Sequence, residues 1–61
     1  MKAKELIRLM EKDGWYQARQ VGSHRIFKHP SKAATISVPD HGPKDIAIGT
    51  LNSILKQAGL K

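Results

Sequence analysis

The 61-residue sequence contains no cysteine. That excludes disulfides and thiolate metal sites, and it suits a reducing compartment such as the cytosol. No run approaches the ~18 to 20 apolar residues of a membrane span, and no signal-peptide core follows Met1. A membrane is therefore not an expected partner, and the cytoplasm is the expected location. Aromatic residues are scarce, with one Trp, one Tyr and one Phe. Stacking on bases is open to Trp15, Tyr16 and Phe27, but with so few the core has first claim on Trp15 and Phe27. Acids are scarce too: 5 Asp and Glu stand against 11 Lys and Arg, a net charge of +6. The excess points to a polyanion, whether RNA, DNA or an acidic protein, and composition does not choose among them.

What is present is enough for one small domain spanning residues 1–61. A chain of this length buries only roughly 60% of its unfolded surface, so its stability is marginal. Hydrophobic residues make up 39% of the chain, as a compact domain requires. There is no low-complexity tract, charge block or internal repeat.

Leu6, Ile7, Leu9 and Met10 recur at helical spacing between Lys2 and Asp13, with Glu5, Arg8, Glu11 and Lys12 on the other face. Gly14 is the expected left-handed stop. Strand formers then take over from Trp15 to Val21. Gly22-Ser23 reads as a tight turn and His24 to His29 as a second strand, with Ile26 and Phe27 on opposite faces. Ala34, Ile36 and Val38 alternate with Thr35 and Ser37, a period-2 strand with one buried face that Pro39 ends. The segment from Pro39 to Pro43 is a rigid loop, and Asp45 is a candidate N-cap for the second helix. Ile48, Leu51, Ile54, Leu55 and Ala58 form the apolar stripe of that helix, closed by Gly59 with Leu60 folding back in a Schellman-type contact. The predicted fold is α+β in the order α-β-β-β-α. Both helices cover one face of a three-stranded antiparallel sheet, and the other face or its rim is left for function.

The residues that could carry chemistry are few. His24 and His29 lie five apart on a strand and point to opposite faces, and no spacing supplies three or four metal ligands, so neither metal nor cofactor is expected. A serine nucleophile has little support, because Ser23 and His24 are neighbours in sequence and the carboxylate would have to come from Asp40 or Asp45. His24 opens a strand directly after a Gly-Ser turn, with Arg25 beside it and Lys28 further along. Imidazole exchanges a proton near neutrality. Beside cations that hold a phosphodiester, His24 could deprotonate a ribose 2′-hydroxyl for in-line attack on phosphorus. The alternative is an exposed strand residue in a basic protein, and spacing alone leaves both readings open. His41, in the rigid loop, is a second acid–base group, a phosphate contact or simply a solvated side chain. His29 before Pro30 reads as a turn residue. Arg19, Arg25, Lys28, Lys32 and Lys44 could together hold phosphates.

Taken together, Glu5-Leu6-Ile7, Asp13-Gly14-Trp15, Arg19 to His24, Ile26 to His29, Val38 to Gly42 and Gly49 to Gly59 resemble the HicA toxin family over almost the whole chain. The most specific parts are the Gly-Ser-His turn, the Pro-x-His-Gly loop and the Gly-Thr-Leu-x-x-Ile-Leu-Lys-Gln-Ala-Gly helix. The resemblance implies a fold similar to a double-stranded-RNA-binding domain and a toxin that cleaves messenger RNA. It further implies a HicB-type antitoxin as protein partner, with no DNA partner expected for the toxin alone. The family's catalytic histidine falls on His24, presented by Gly22 and Ser23; Arg25, Lys28 and His41 complete the expected RNA-contacting set. Asn52 stands where the resemblance leads one to expect a basic residue. The rival expectation is a non-catalytic RNA-binding module that uses the same basic face.

Overall fold

The computed structural model describes residues 1–61. Its elements run α1 (Ala3–Lys12), β1 (Tyr16–Val21), β2 (His24–Lys28), β3 (Ile36–Pro39) and α2 (Ile48–Gln57). The strands form one antiparallel sheet in the order β1-β2-β3, so each hairpin joins sequence neighbours. This is the expected α-β-β-β-α arrangement, and a likeness to double-stranded-RNA-binding domains is apt. No helix is long and apolar enough to cross a membrane.

One face of the sheet makes the core. Phe27 pairs with Ile36 and Arg25 with Val38 across β2 and β3, and Phe27, Ile36 and Val38 are sealed from solvent. Against them pack Ala3, Leu6, Ile7 and Met10 of α1, Trp15, Ile46, Ile54 of α2 and Ala58 at its C-cap. Burying a side chain such as Phe27 or Leu6 contributes about 1.5–3 kcal/mol. The α2 stripe is shorter than its sequence periodicity predicts. Leu51, Ile54, Leu55 and Ala58 reach the core, whereas Ile48 is 75% exposed, because the first turn of the helix lies beyond the packed seam.

Both helices end as their glycines predict. After α1, Gly14 adopts a φ of 102°, its N–H donates to the Glu11 carbonyl at 3.0 Å, and the Trp15 N–H donates to the Met10 carbonyl at 3.0 Å. After α2, Gly59 adopts a φ of 74°, and Leu60 donates to the Leu55 carbonyl at 2.8 Å. These are two Schellman motifs, each leading an apolar residue back to the core.

The helix starts are less regular. Lys2 has no acceptor in its side chain to cap α1, but Glu5 accepts from its backbone N–H at 3.1 Å, the return half of a capping box. Asp45 does not cap α2. The N-cap is Ala47, because Asp45 and Ile46 are held by contacts with the start of the chain. Asp45 bridges Lys2, and the Ile46 N–H donates to the Met1 carbonyl at 2.9 Å. The helix therefore begins only after the buried Ile46.

Candidate functional site

The opposite face of the sheet has no helix over it. Strand alternation and register place Tyr16, Arg19 and Val21 of β1, His24, Ile26 and Lys28 of β2, and Ser37 of β3 together on it. In β1 this requires a bulge, since Gln17 pairs with Phe27 and Arg19 with Ile26, leaving Ala18 as the extra residue. Arg19 and Lys28 are the formal charges on this face, and no carboxylate joins them. Four of the chain's acids are engaged elsewhere: Glu5 with a backbone N–H, Asp13 with Lys32, Asp40 with Arg25, and Asp45 with the terminal amine. Tyr16 and Val21 are both more than half exposed, so this face offers apolar as well as cationic surface.

His24 is presented by a two-residue turn. Val21 pairs with His24, and Gly22 takes a φ of 58° while Ser23 keeps a negative φ. This is the sign pattern of a type II′ hairpin turn, which calls for glycine at its first central position. The His24 side chain leaves the sheet on the open face, and its Nδ1 lies 3.3 Å from Ser37 Oγ on the neighbouring strand. With Nδ1 so engaged, Nε2 is the ring nitrogen left for chemistry. Strand alternation put Ser37 on the open face, but its diagonal meeting with His24 depends on the β2–β3 register, which periodicity does not fix. Ser23, the serine next to His24 in sequence, makes no such contact with it.

A groove of about 590 Å³ lies beside His24, within the ~300–1,000 Å³ range of small-ligand clefts. His24, Ser37, His41, Lys44, Asp45 and Thr50 are among the residues that line it. His41 reaches this groove through a stitched loop. The Asp40 N–H donates to the Ser23 carbonyl at 2.7 Å, and its carboxylate accepts from the Gly42 N–H at 3.1 Å and pairs with Arg25 at 2.7 Å. The Gly-Ser-His turn and the Pro-x-His-Gly loop, far apart in sequence, are thus one local structure.

The remaining expected site residues divide. Gly22 and Ser23 form the turn, and Lys28 shares the open face with His24. Arg25 does not. As the next residue along the strand it points to the helix side, where it is held by Asp40 and shares a cleft with Lys2 and Lys4. Lys32 is also removed from any phosphate-holding surface. Its ammonium donates to Asp13 Oδ2 at 2.6 Å and to the Ala58 carbonyl at 2.8 Å, joining the C-terminal ends of both helices. That hydrogen bond, followed by the smaller electrostatic attraction of the Lys32 charge, holds the Asp13 carboxyl below its usual pKa of 3.8.

His29 is a structural residue, not only a turn residue. Its side chain is 7% exposed, and Nδ1 accepts from the Ser31 N–H at 3.1 Å. The hydrogen is thereby assigned to Nε2, which donates to the Asp13 carbonyl at 2.6 Å. The ring meets Trp15 edge-on at 5.1 Å. No group of three or more His, Asp or Glu side chains converges as a metal site would require.

The chain is thus a small α+β domain with an uncovered, cationic sheet face and a histidine at its rim. The HicA toxin family of bacterial toxin–antitoxin systems matches residues 3–60, and the chain belongs to that family. No curated protein matches it. Toxins of such systems are paired with an antitoxin.

Proposed function

We propose that the protein is a metal-independent endoribonuclease that cleaves messenger RNA in the cytoplasm and is neutralised by a HicB-type antitoxin. The observation that carries this reading is His24. It is exposed at the end of a cationic sheet face, with Nδ1 held by Ser37 and Nε2 left available. Nε2 takes the proton from a ribose 2′-hydroxyl, and the 2′-oxygen attacks the adjacent phosphorus. The products are a 2′,3′-cyclic phosphate and a 5′-hydroxyl end. When Ser37 Oγ accepts from Nδ1–H, it keeps the Nε2 lone pair available and stabilises the imidazolium that forms. Arg19, Lys28 and Lys44 supply phosphate contacts that carry little sequence information, and Tyr16 is the aromatic left exposed for a base to stack on.

The test is cleavage of a purified single-stranded RNA in EDTA by the wild type and by His24→Ala. The expected result is cleavage by the wild type alone, with cyclic phosphate ends and RNA affinity retained by the variant. RNA binding without cleavage by either protein would instead establish a non-catalytic binding module. Linear 3′-hydroxyl ends formed only with added metal would refute the mechanism.

A further inference from the structure

One histidine leaves the cleavage step incomplete. If His24 takes the 2′-hydroxyl proton, the departing 5′-oxygen still needs a proton from elsewhere, since an unprotonated alkoxide is a poor leaving group. The geometry points to His41 as the general acid that protonates the 5′-oxygen, an assignment that rests on the ribonuclease reading.

Three observations support it. His24 and His41 line the same groove. Each is one residue beyond the same hydrogen bond, from the Asp40 N–H to the Ser23 carbonyl at 2.7 Å, so the bond that closes this corner sets the backbone separation of the two imidazoles. Finally, His41 is bracketed by fixed points. The Asp40 carboxylate is tied to Arg25 and to the Gly42 N–H, and Pro39 and Pro43 limit the backbone on either side. An exposed imidazole on a restrained loop has the reach of a catalytic group without the mobility of a free one.

The two rings differ in their surroundings. His24 Nδ1 faces the Ser37 hydroxyl, which suits a base that must finish as an imidazolium. His41 is exposed and opens onto a groove that also holds Lys44 and Asp45, the charged groups beside it along with His24. The proton balance closes within the site. One proton moves from the 2′-oxygen to His24 Nε2, the P–O5′ bond breaks as the P–O2′ bond forms, and one proton moves from the His41 imidazolium to the 5′-oxygen. Exchange with water then resets both rings.

A change of leaving group separates an acid from a base. Wild type, His24→Ala and His41→Ala are compared on an RNA with the natural 5′-oxygen linkage and on the same RNA with a 5′-bridging sulfur, whose thiolate departs without protonation. His41→Ala should slow cleavage of the oxygen substrate by about 10²–10⁴-fold, the usual contribution of a positioned acid or base, and regain nearly wild-type rates on the sulfur substrate. His24→Ala should be slow on both. The alkaline limb of the wild-type pH–rate profile should vanish in His41→Ala. Equal impairment of His41→Ala on both substrates would make it a phosphate-binding residue, and no impairment on either would make it a bystander; each result overturns the assignment. Failure of the wild type to cleave either RNA would overturn the ribonuclease reading and the assignment with it.

Discussion

Gly14 and Gly59 occupy equivalent places, each just past a helix end with positive φ, yet their surroundings differ. A Cβ built on Gly59 would meet only the tip of Lys32 at 3.2 Å, while one built on Gly14 would lie 2.9 Å from His29 Nε2. Both alanine variants carry the left-handed backbone penalty of about 1–2 kcal/mol. Gly14→Ala must in addition push aside a buried ring, losing the hydrogen bond from Nε2–H to the Asp13 carbonyl. That loss adds about 1 kcal/mol, and the disturbed Trp15 edge contact adds to it. Gly14→Ala should therefore destabilise by about 1–2 kcal/mol more than Gly59→Ala. For a domain of this size that difference lowers Tm by a further ~5–15 °C. Thermal and urea denaturation of both variants measure it, and a cycle with His29→Ala isolates its origin. In the His29→Ala background, Gly14→Ala should incur only the backbone term. Equal destabilisation by the two glycine replacements, or no coupling between positions 14 and 29, would refute the steric argument.

The Asp13–Lys32 contact predicts an acid-sensitive clasp. Because the folded pKa of Asp13 is depressed below 3.8, its contribution is fully present above the unfolded value and is lost as pH falls through the lower folded value. Melting the wild type and Lys32→Met across acid pH should show their stability difference shrinking below about pH 4; a difference that stays constant would contradict the assignment. The two faces of β2 predict opposite behaviour toward RNA. Lys28→Ala should lower the slope of log affinity against log salt by about 1, whereas Arg25→Ala, held by Asp40 on the helix side, should leave that slope unchanged. Filter binding across a salt series decides between them, and equal changes in both would mean the open face is not the RNA surface.

Much of this architecture was legible in the sequence because it depends on local rules. The Schellman stops at Gly14 and Gly59, the Gly-Ser hairpin and the alternation through Ile36 and Val38 are each dictated by a few neighbouring residues. The open face containing His24 follows from alternation as well. Long-range pairing was not legible. Asp45 has the chemistry of an N-cap, but its segment is drawn into a bridge with Lys2. Ile48 continues the apolar stripe of α2 but overshoots the core. Ser37 meets His24 only through the strand register, and Lys32, to all appearance one more surface cation, spans the two helix ends. Arg25 is the instructive case: strand alternation alone separates it from His24, although adjacency in sequence suggests a shared site.

The extra residue in β1 has a consequence for how this strand tolerates changes of length. Cross-strand partners are fixed on both sides of Ala18, Gln17 with Phe27 and Arg19 with Ile26, while Ala18 itself is exposed and pairs with nothing in that register. Removing it would close an ordinary antiparallel ladder and keep Arg19 and Tyr16 on the open face. If Gln17 were lost instead, Ala18 could step into its place opposite Phe27. The strand therefore holds one residue in reserve, and over evolutionary time a single-codon deletion there can be absorbed that would turn a regular strand inside out.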